Sequence, residues 1–264
     1  MTSESHNCPD RRRFLLQAVG ASGAFAGMTI APGVLLISPA TAQSNASHPA
    51  GANKAGEAAR QGADSSQRWG LLVDANRCSE DCTACISACQ EEHGWQVEDP
   101  HSDPQWIRKL ELTGAAQEPI SLPMMCQHCK HPPCASVCPT QATFKRADGI
   151  VLVDKHRCIG CRYCMIACPF QARFMPHRQI ASAPSNYPRG KSAAEGCTLC
   201  VHRIDRGQPP ACVERCADQG NGALLCGDLN DPTSAISQAL NQHGGRTIRA
   251  DLGLEPAVHY QGIT

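Results

Sequence analysis

Sixteen of the eighteen cysteines in this 264-residue chain fall into four groups of four. The groups are Cys78, Cys82, Cys85, Cys89; Cys126, Cys129, Cys134, Cys138; Cys158, Cys161, Cys164, Cys168; and Cys197, Cys200, Cys212, Cys216. No other feature constrains the fold as tightly, because each group must converge on something. Disulfides are a poor account. A chain of this length can bury a core without staples, and cysteines two apart on a tight loop rarely meet bridging geometry. Zinc is the second account, since C-x2-C pairs bind it, but a zinc site takes four ligands and closes. Three cysteines within seven residues, as in Cys158 to Cys164, crowd one tetrahedral ion poorly.

The third group reads C-x2-C-x2-C-x3-C-P, "CIGCRYCMIACP", the spacing that holds [4Fe–4S] clusters in bacterial two-cluster ferredoxins. Three thiolates on a tight loop reach three corners of one cubane. The fourth, on the following helical turn, points away and completes a neighbouring cluster, so the groups work in pairs. The second group also ends in proline, Pro139. The fourth has an eleven-residue gap between Cys200 and Cys212, and the first has three residues between Cys78 and Cys82 where two are usual. Cys8 lies in the N-terminal segment, and Cys226, in an apolar stretch, reads as a core thiol.

Residues 1–42 read as an export signal. Arg11, Arg12 and Arg13 precede Phe14, Leu15 and Leu16, then a mildly apolar run, then "ATAQ" with an A-x-A cleavage pattern before Gln43. The order Asp10-Arg11-Arg12-Arg13-Phe14-Leu15 looks like a twin-arginine signal, a class known to export proteins already folded. That route would let the cofactor be installed in the reducing cytoplasm, whereas a chain exported unfolded would offer sixteen bare thiols to oxidation. The run is long enough to span a bilayer, so an uncleaved anchor is the alternative. Residues 43–67, rich in Ala, Ser, Gly and Gln, read as a flexible linker.

From Arg68 an internal repeat appears. "GLLVDANRC" at Gly70 to Cys78 echoes "GIVLVDKHRC" at Gly149 to Cys158, and both share V-D-x-x-R-C. The apolar run in each predicts a strand. Asp148-Gly149 predicts a hairpin turn. "WIRKLEL" and "ALLCGDL" predict two more strands, and "CISAC" and "CMIAC" predict short helices. In "DPTSAISQALNQH" Asp231 is expected to cap a helix with Pro232 at its first position.

These groups, with "CTLCVHRIDRGQPPACVERC" and "GDLNDPTS" as specific signatures, resemble the iron–sulfur electron-transfer subunits of the dimethyl-sulfoxide-reductase, polysulfide-reductase and formate-dependent nitrite-reductase families. The likeness runs from Trp69 to Ser234 and is nearest to the periplasmic ferredoxin-like subunit of the membrane complex associated with dissimilatory sulfite reductase (Dsr). It implies an α+β fold of tandem two-cluster ferredoxin-like units. One unit would comprise 68–118 with 190–240, the other 119–189, leaving 241–264 as a C-terminal tail. It implies four [4Fe–4S] clusters, with the groups exchanging ligands. Cys78, Cys82, Cys85 and Cys216 would hold one; Cys197, Cys200, Cys212 and Cys89 the next. Cys126, Cys129, Cys134 and Cys168 would hold a third; Cys158, Cys161, Cys164 and Cys138 the fourth. The extra residue after Cys78 strains its loop, and proline is missing after Cys89 and Cys216.

The resemblance further implies a periplasmic relay, peripheral on the cytoplasmic membrane, in a sulfur-metabolism complex. Its partners would be a polytopic quinone-interacting membrane subunit and a multihaem cytochrome c. The alternatives are a nitrite-reductase or molybdenum-oxidoreductase subunit, or a structural zinc protein. Lys and Arg total 24 and Asp and Glu total 24, which gives no footprint for nucleic acid. There is no nucleophile triad, phosphate loop or dinucleotide fingerprint, so no catalysis of its own is expected. His128, His131 and His202, beside ligand cysteines, read as donors to cluster sulfur or as solvated loop residues.

Overall fold

A computed structural model describes residues 63–112, 119–178, 180, 189, 190 and 192–263. The expected signal at 1–42, with Cys8, and most of the expected linker lie outside the described residues.

The fold is α+β, with small sheets and short helices. Its central strand is β1 (Trp69–Asp74), an almost wholly apolar run whose Leu71, Leu72 and Val73 are buried. It lies between β6 (Leu224–Asp228), antiparallel with Leu71 opposite Cys226, and β7 (Val258–Gln261), parallel with Leu71 opposite Val258. The stretch 241–264, expected to be a tail, therefore supplies an edge strand. Val258 and Tyr260 point into the core, and the Tyr260 hydroxyl accepts from Gln127 Nε2 at 2.9 Å. The period-two pattern of four residues is too short to stand out in sequence.

β2 (Ile107–Leu112) and β3 (Ile120–Met125) form an antiparallel ribbon, with Ile107 opposite Met125. β2 does not bury one clean face. Trp106 and Ile107 are buried, whereas Leu110 and Leu112 are exposed, although Leu122 and Ser121 on the facing strand are buried. β4 (Thr143–Lys145) and β5 (Val151–Val153) form the expected hairpin. Gly149 turns it with φ of +89°, a conformation that other residues resist. Buried Asp148 pairs with Arg146 at 2.7 Å, and Arg146 reaches Asp205 at 2.7 Å.

Helix α1 (Ala84–His93) is longer than "CISAC" suggests, because good helix formers continue to Gly94, whose φ of 67° ends it. The short helices α2 (Pro133–Ser136) and α3 (Tyr163–Ala167) pack on each other. Beyond α4 (Val201–Ile204), α5 (Ala211–Gln219) packs against α1. The last helix, α6 (Ala235–His243), corrects the expected cap. Ser234 is the N-cap, its hydroxyl accepting from Ser237 N, while Asp231 closes the preceding turn by accepting from Thr233 N at 2.8 Å. Ser234 wins because its hydroxyl also donates to Asp228 O at 2.7 Å, tying the helix start to β6.

One buried ion pair stiffens this frame. Glu195, 0% exposed, receives Arg189 Nη2 at 2.6 Å and Nε at 3.1 Å, and Trp106 Nε1 at 3.2 Å. Arg189 Nη1 also donates to Gly94 O at 2.7 Å, at the end of α1. Removing one partner strands a buried charge, so Arg189→Met is expected to cost about 3 kcal/mol. A lower temperature for thermal bleaching of the visible absorbance would read this. An unchanged midpoint would show that the pair is dispensable.

Candidate iron–sulfur centre

The repeated V-D-x-x-R-C motif has a local cause. Asp74 Oδ1 accepts from Asn76 N at 3.1 Å, and Asp154 Oδ1 accepts from His156 N at 2.9 Å. Each aspartate bends the chain as it leaves a strand and delivers the first cysteine of a group, Cys78 or Cys158. A second repeat follows the last cysteines of groups two and three, "CPTQA" and "CPFQA". Gln141 and Gln171 take φ of 55° and 50°, which turns the backbone so that Thr143 N and Ala172 N each donate to Cys138 or Cys168 Sγ at 3.5 Å. Gly160, at φ of +73°, lies where a Cβ would stand 2.7 Å from Ser192 O, so the "CIGC" loop needs glycine.

The helices then bring the groups together. Cys85 and Cys89 lie four apart on α1, and Cys212 and Cys216 four apart on α5, so each pair shares one face of packed helices. Cys134 on α2 and Cys164 on α3 meet in the same way. One hollow is lined by Cys78, Cys82, Cys85 and Cys216. A second is lined by Cys138, Cys158, Cys161 and Cys164. The other eight cysteines are mostly buried and feel one another's charge. Burial pushes Cys129 up to about 12, reinforced by Cys126, Cys134 and Cys168. Cys212 is raised well above the usual thiol range by burial, then by Cys200, Cys89 and Cys197. No three Cys, His, Asp or Glu side chains among the described residues gather tightly enough for a single metal ion.

All seventeen described cysteines are free thiols. Burial pushes Cys85 up to about 12 and Cys126 up to about 11. Such thiols ionise only against positive charge, which iron ligation supplies. Their surroundings are built for thiolate sulfur. Trp95 Nε1 donates to Cys89 at 3.3 Å, Ala194 N to Cys158 at 3.3 Å, and Leu199 N to Cys197 at 3.4 Å. His93 Nε2 lies 3.2 Å from Cys200 Sγ. At Cys138 burial works upward, but the N–H groups of Thr143, Thr140 and Ala142 and the Thr140 hydroxyl outweigh it and lower the thiol.

Buried polar atoms point the same way. His128 Nδ1 accepts from Val151 N at 3.0 Å, so in neutral imidazole the proton sits on Nε2. Burial and the Arg173 charge hold His128 down to about 3, which keeps it neutral. Its Nε2 is buried without a protein partner, as are Ser121 Oγ, Thr198 Oγ1 and Arg173 Nε, all beside ligand-group cysteines. Donors placed so are expected next to inorganic sulfide, and the residues fit the [4Fe–4S] group. His131 instead faces Glu255 at 3.3 Å on the surface, and His202 Nε2 meets Glu92 at 2.6 Å.

Two residues without a spacing signal matter here. Buried Arg173 sits among Cys126, Cys134 and Cys164; burial opposes its charge, but these thiolates outweigh burial and hold it protonated. Lys109, on β2, donates to the carbonyls of Ser79 at 2.8 Å, Cys82 at 2.9 Å and Glu80. Three carbonyls on one ammonium close the longer loop between Cys78 and Cys82. Cys226, on β6, is half-buried against the core and lines neither hollow.

Residues 118–223 match the family described as 4Fe-4S dicluster domain. Over 223 residues the chain is 43% identical to Hdr-like menaquinol oxidoreductase iron-sulfur subunit 1 of Archaeoglobus fulgidus, which spans 74% of this chain and 83% of that protein. It is 37% identical over 206 residues to the B subunit of tetrathionate reductase from Salmonella typhimurium, across 74% and 73% of the two chains. It is 35% identical over 210 residues to the B subunit of sulfite dehydrogenase from Allochromatium vinosum, across 72% and 81%. The protein belongs to the family of [4Fe–4S] iron–sulfur subunits of oxidoreductase complexes. It is an electron-transfer subunit of such a complex, with a ferredoxin-like dicluster domain.

Proposed function

We propose that this chain is an exported, non-catalytic relay holding four [4Fe–4S] clusters in two tandem ferredoxin-like units. Cys78, Cys82, Cys85 and Cys216 hold the first cluster. Cys89, Cys197, Cys200 and Cys212 hold the second. Cys126, Cys129, Cys134 and Cys168 hold the third, and Cys138, Cys158, Cys161 and Cys164 the fourth. The first and second belong to the unit of 68–118 and 190–240, the third and fourth to the unit of 119–189.

The observation that carries this is geometric: two hollows each gather four cysteines drawn from two groups, Cys78, Cys82, Cys85 and Cys216 in one and Cys138, Cys158, Cys161 and Cys164 in the other, and the sets neighbour one another in a file. Cys85 acts on Cys212, Cys126 on Cys197, and Cys134 on Cys164. Each link crosses from one set to its neighbour in the order first to fourth. The ends of the file are the accessible sets. Cys161 is exposed and Cys78, Cys82, Cys138 and Cys158 are partly so, whereas every cysteine of the second set is buried. When bound, such clusters take up and release single electrons. The chain's part is to exclude water from the middle of the file, direct N–H donors at sulfur, and leave both ends open.

The partners in this reading are a polytopic quinone-interacting membrane subunit at one end and a second carrier, a multihaem cytochrome c, at the other. Two relatives named for tetrathionate reductase and sulfite dehydrogenase support a sulfur-metabolism complex. The relative named as a menaquinol oxidoreductase subunit supports the quinone link. No helix among the described residues is long and apolar enough to cross a membrane, so attachment is protein to protein. The twin-arginine-like signal supports a mature chain on the periplasmic face. Co-expressed with its membrane subunit, the protein should co-purify from solubilised membranes, and quinol should bleach its visible absorbance. Retention of the lone protein in membranes with residues before Gln43 still attached would favour the uncleaved anchor instead.

Lys109 offers a separate check on the first set. Lys109→Met removes the charge that gathers the Ser79, Glu80 and Cys82 carbonyls. The loop opens, and about a quarter of the bound iron, one cluster of four, is expected to be lost on gel filtration. Full iron retention would show that the loop holds its shape unaided.

A further inference from the structure

The two ends of the thiolate file differ in their surface. Beside the first set the exposed residues are Asn76, Arg77, Ser79, Glu80, Asp81 and Thr83, with no large apolar side chain among them. At the fourth set, one loop and the helix it enters expose three large apolar side chains: Ile159 at 68%, Tyr163 at 56% and Ile166 at 82%. Tyr163 and Ile166 are three apart on α3 and share a face. They flank Cys161, itself exposed, and Ile159 lines the same hollow as Cys158, Cys161 and Cys164. Leaving such side chains in water is unfavourable relative to burial, and a patch around an exposed ligand is a contact surface rather than scattered apolar exposure.

Charge narrows what fits there. Around this face, residues 155–168 contain Lys155, Arg157 and Arg162 and no Asp or Glu. Arg157 and Arg162 are exposed and form no ion pair among the described residues. Tyr and Arg around an apolar centre is the composition of a binding hot spot. The other end mixes Arg77 and Lys109 with Glu80 and Asp81 and carries no such apolar face, so one partner does not suit both ends equally.

We propose that the Ile159–Tyr163–Ile166 face, edged by Arg157 and Arg162, docks a redox protein whose apolar contact surface is rimmed by carboxylates. The inference rests on the relay reading above, and adds which end takes which kind of partner. Contact here brings the partner's redox group over Cys161, and one electron crosses with no atom transferred. The face selects its partner by charge over a long range and by apolar fit at contact.

The test uses the full cluster-loaded chain, reduced with dithionite and mixed by stopped flow with two probes. One is a small acidic cytochrome, cytochrome b5; the other is basic mitochondrial cytochrome c. Each electron lost by the protein turns one ferric haem ferrous. The acidic probe should react faster by about tenfold at low salt, with a rate that falls as salt rises. Arg157→Glu should slow it about tenfold at low salt. Ile166→Ser should slow it several-fold at every salt concentration. Arg249→Glu, a reversal on the 250–252 turn, should leave it unchanged. Iron content and EPR spectra confirm that each variant retains its clusters. Should Arg157→Glu lose iron, the wild-type salt dependence and Ile166→Ser decide the matter. The proposal is overturned if the basic probe is faster, if Ile166→Ser or an iron-replete Arg157→Glu matches wild type, or if Arg249→Glu slows the rate equally. It is also overturned if sedimentation shows a dimer that Ile166→Ser dissociates, since the occupant would then be a second copy. If the wild-type chain reduces neither probe, the relay reading fails and this inference falls with it.

Discussion

Anaerobically purified protein is expected to contain about sixteen irons and as many sulfides per chain, four of each for every cubane. Cys161→Ser should lower that count by about one to four, because a hydroxyl replaces one thiolate of the fourth set. Cys226→Ser should leave it unchanged. The contrast is informative because both cysteines are free and neither is fully buried. They differ in their company: Cys161 shares a hollow with Cys138, Cys158 and Cys164, whereas Cys226 faces Leu71 across a strand pair. The effect of Cys161→Ser should spread. Cys138 comes from group two, so strain in the fourth set is felt on the loop that follows α2 and hence at Cys134 of the third. About four zinc ions with little iron would refute the cluster assignment, and iron loss from Cys226→Ser would show that the sixteen ligands were misassigned.

The parts of this protein that are legible in its sequence are those fixed by local chemistry. Cysteine spacing marks the groups from which the two four-cysteine hollows are built, because short spacings bring thiols onto one loop or one helix face. Asp148-Gly149 marks the β4–β5 hairpin, because the turn needs a positive φ. The V-D-x-x-R-C repeat marks two strand ends, because each aspartate caps its own turn. What spacing does not show is what arrives from elsewhere in the chain. Lys109 lies twenty-seven residues from Cys82, and nothing near it in sequence says that its ammonium closes that loop. His93 ends α1 and Trp95 follows it, and both read as core residues until Cys200 and Cys89 are seen beside them. β7 is four residues long, and its partner β1 lies nearly the whole chain away. The Asp231 cap fails for a related reason. Its local pattern suits a cap equally well, and Ser234 prevails through a tertiary bond to Asp228.

Arg173 is the clearest of these long-range residues, and its removal should have the largest effect of any change outside the ligands. Its side chain is buried, and the thiolates that hold it charged, Cys126, Cys134 and Cys164, belong to the two sets proposed for the second unit. Nη2 lies 3.9 Å from Cys134 Sγ, and Nε has no protein acceptor. Gly196 makes room for it, since a Cβ there would stand 3.4 Å from Nη1 and 2.5 Å from Ala172 O. A buried cation between two anionic sites offsets the cost of holding both away from water. Arg173→Met deletes that charge, and an unpaired buried charge costs about 3–5 kcal/mol. The expected result is loss of about half the iron, the two clusters of this unit, during purification. Arg173→Lys should retain more iron, because the charge survives, though an ammonium cannot spread its donors as the planar fork does. The sign of the redox effect follows from the same charge. A nearby cation favours the added electron, so any cluster surviving in Arg173→Met should reduce at a lower potential than in wild type. Full iron with an unchanged or raised midpoint would show that the guanidinium serves packing alone.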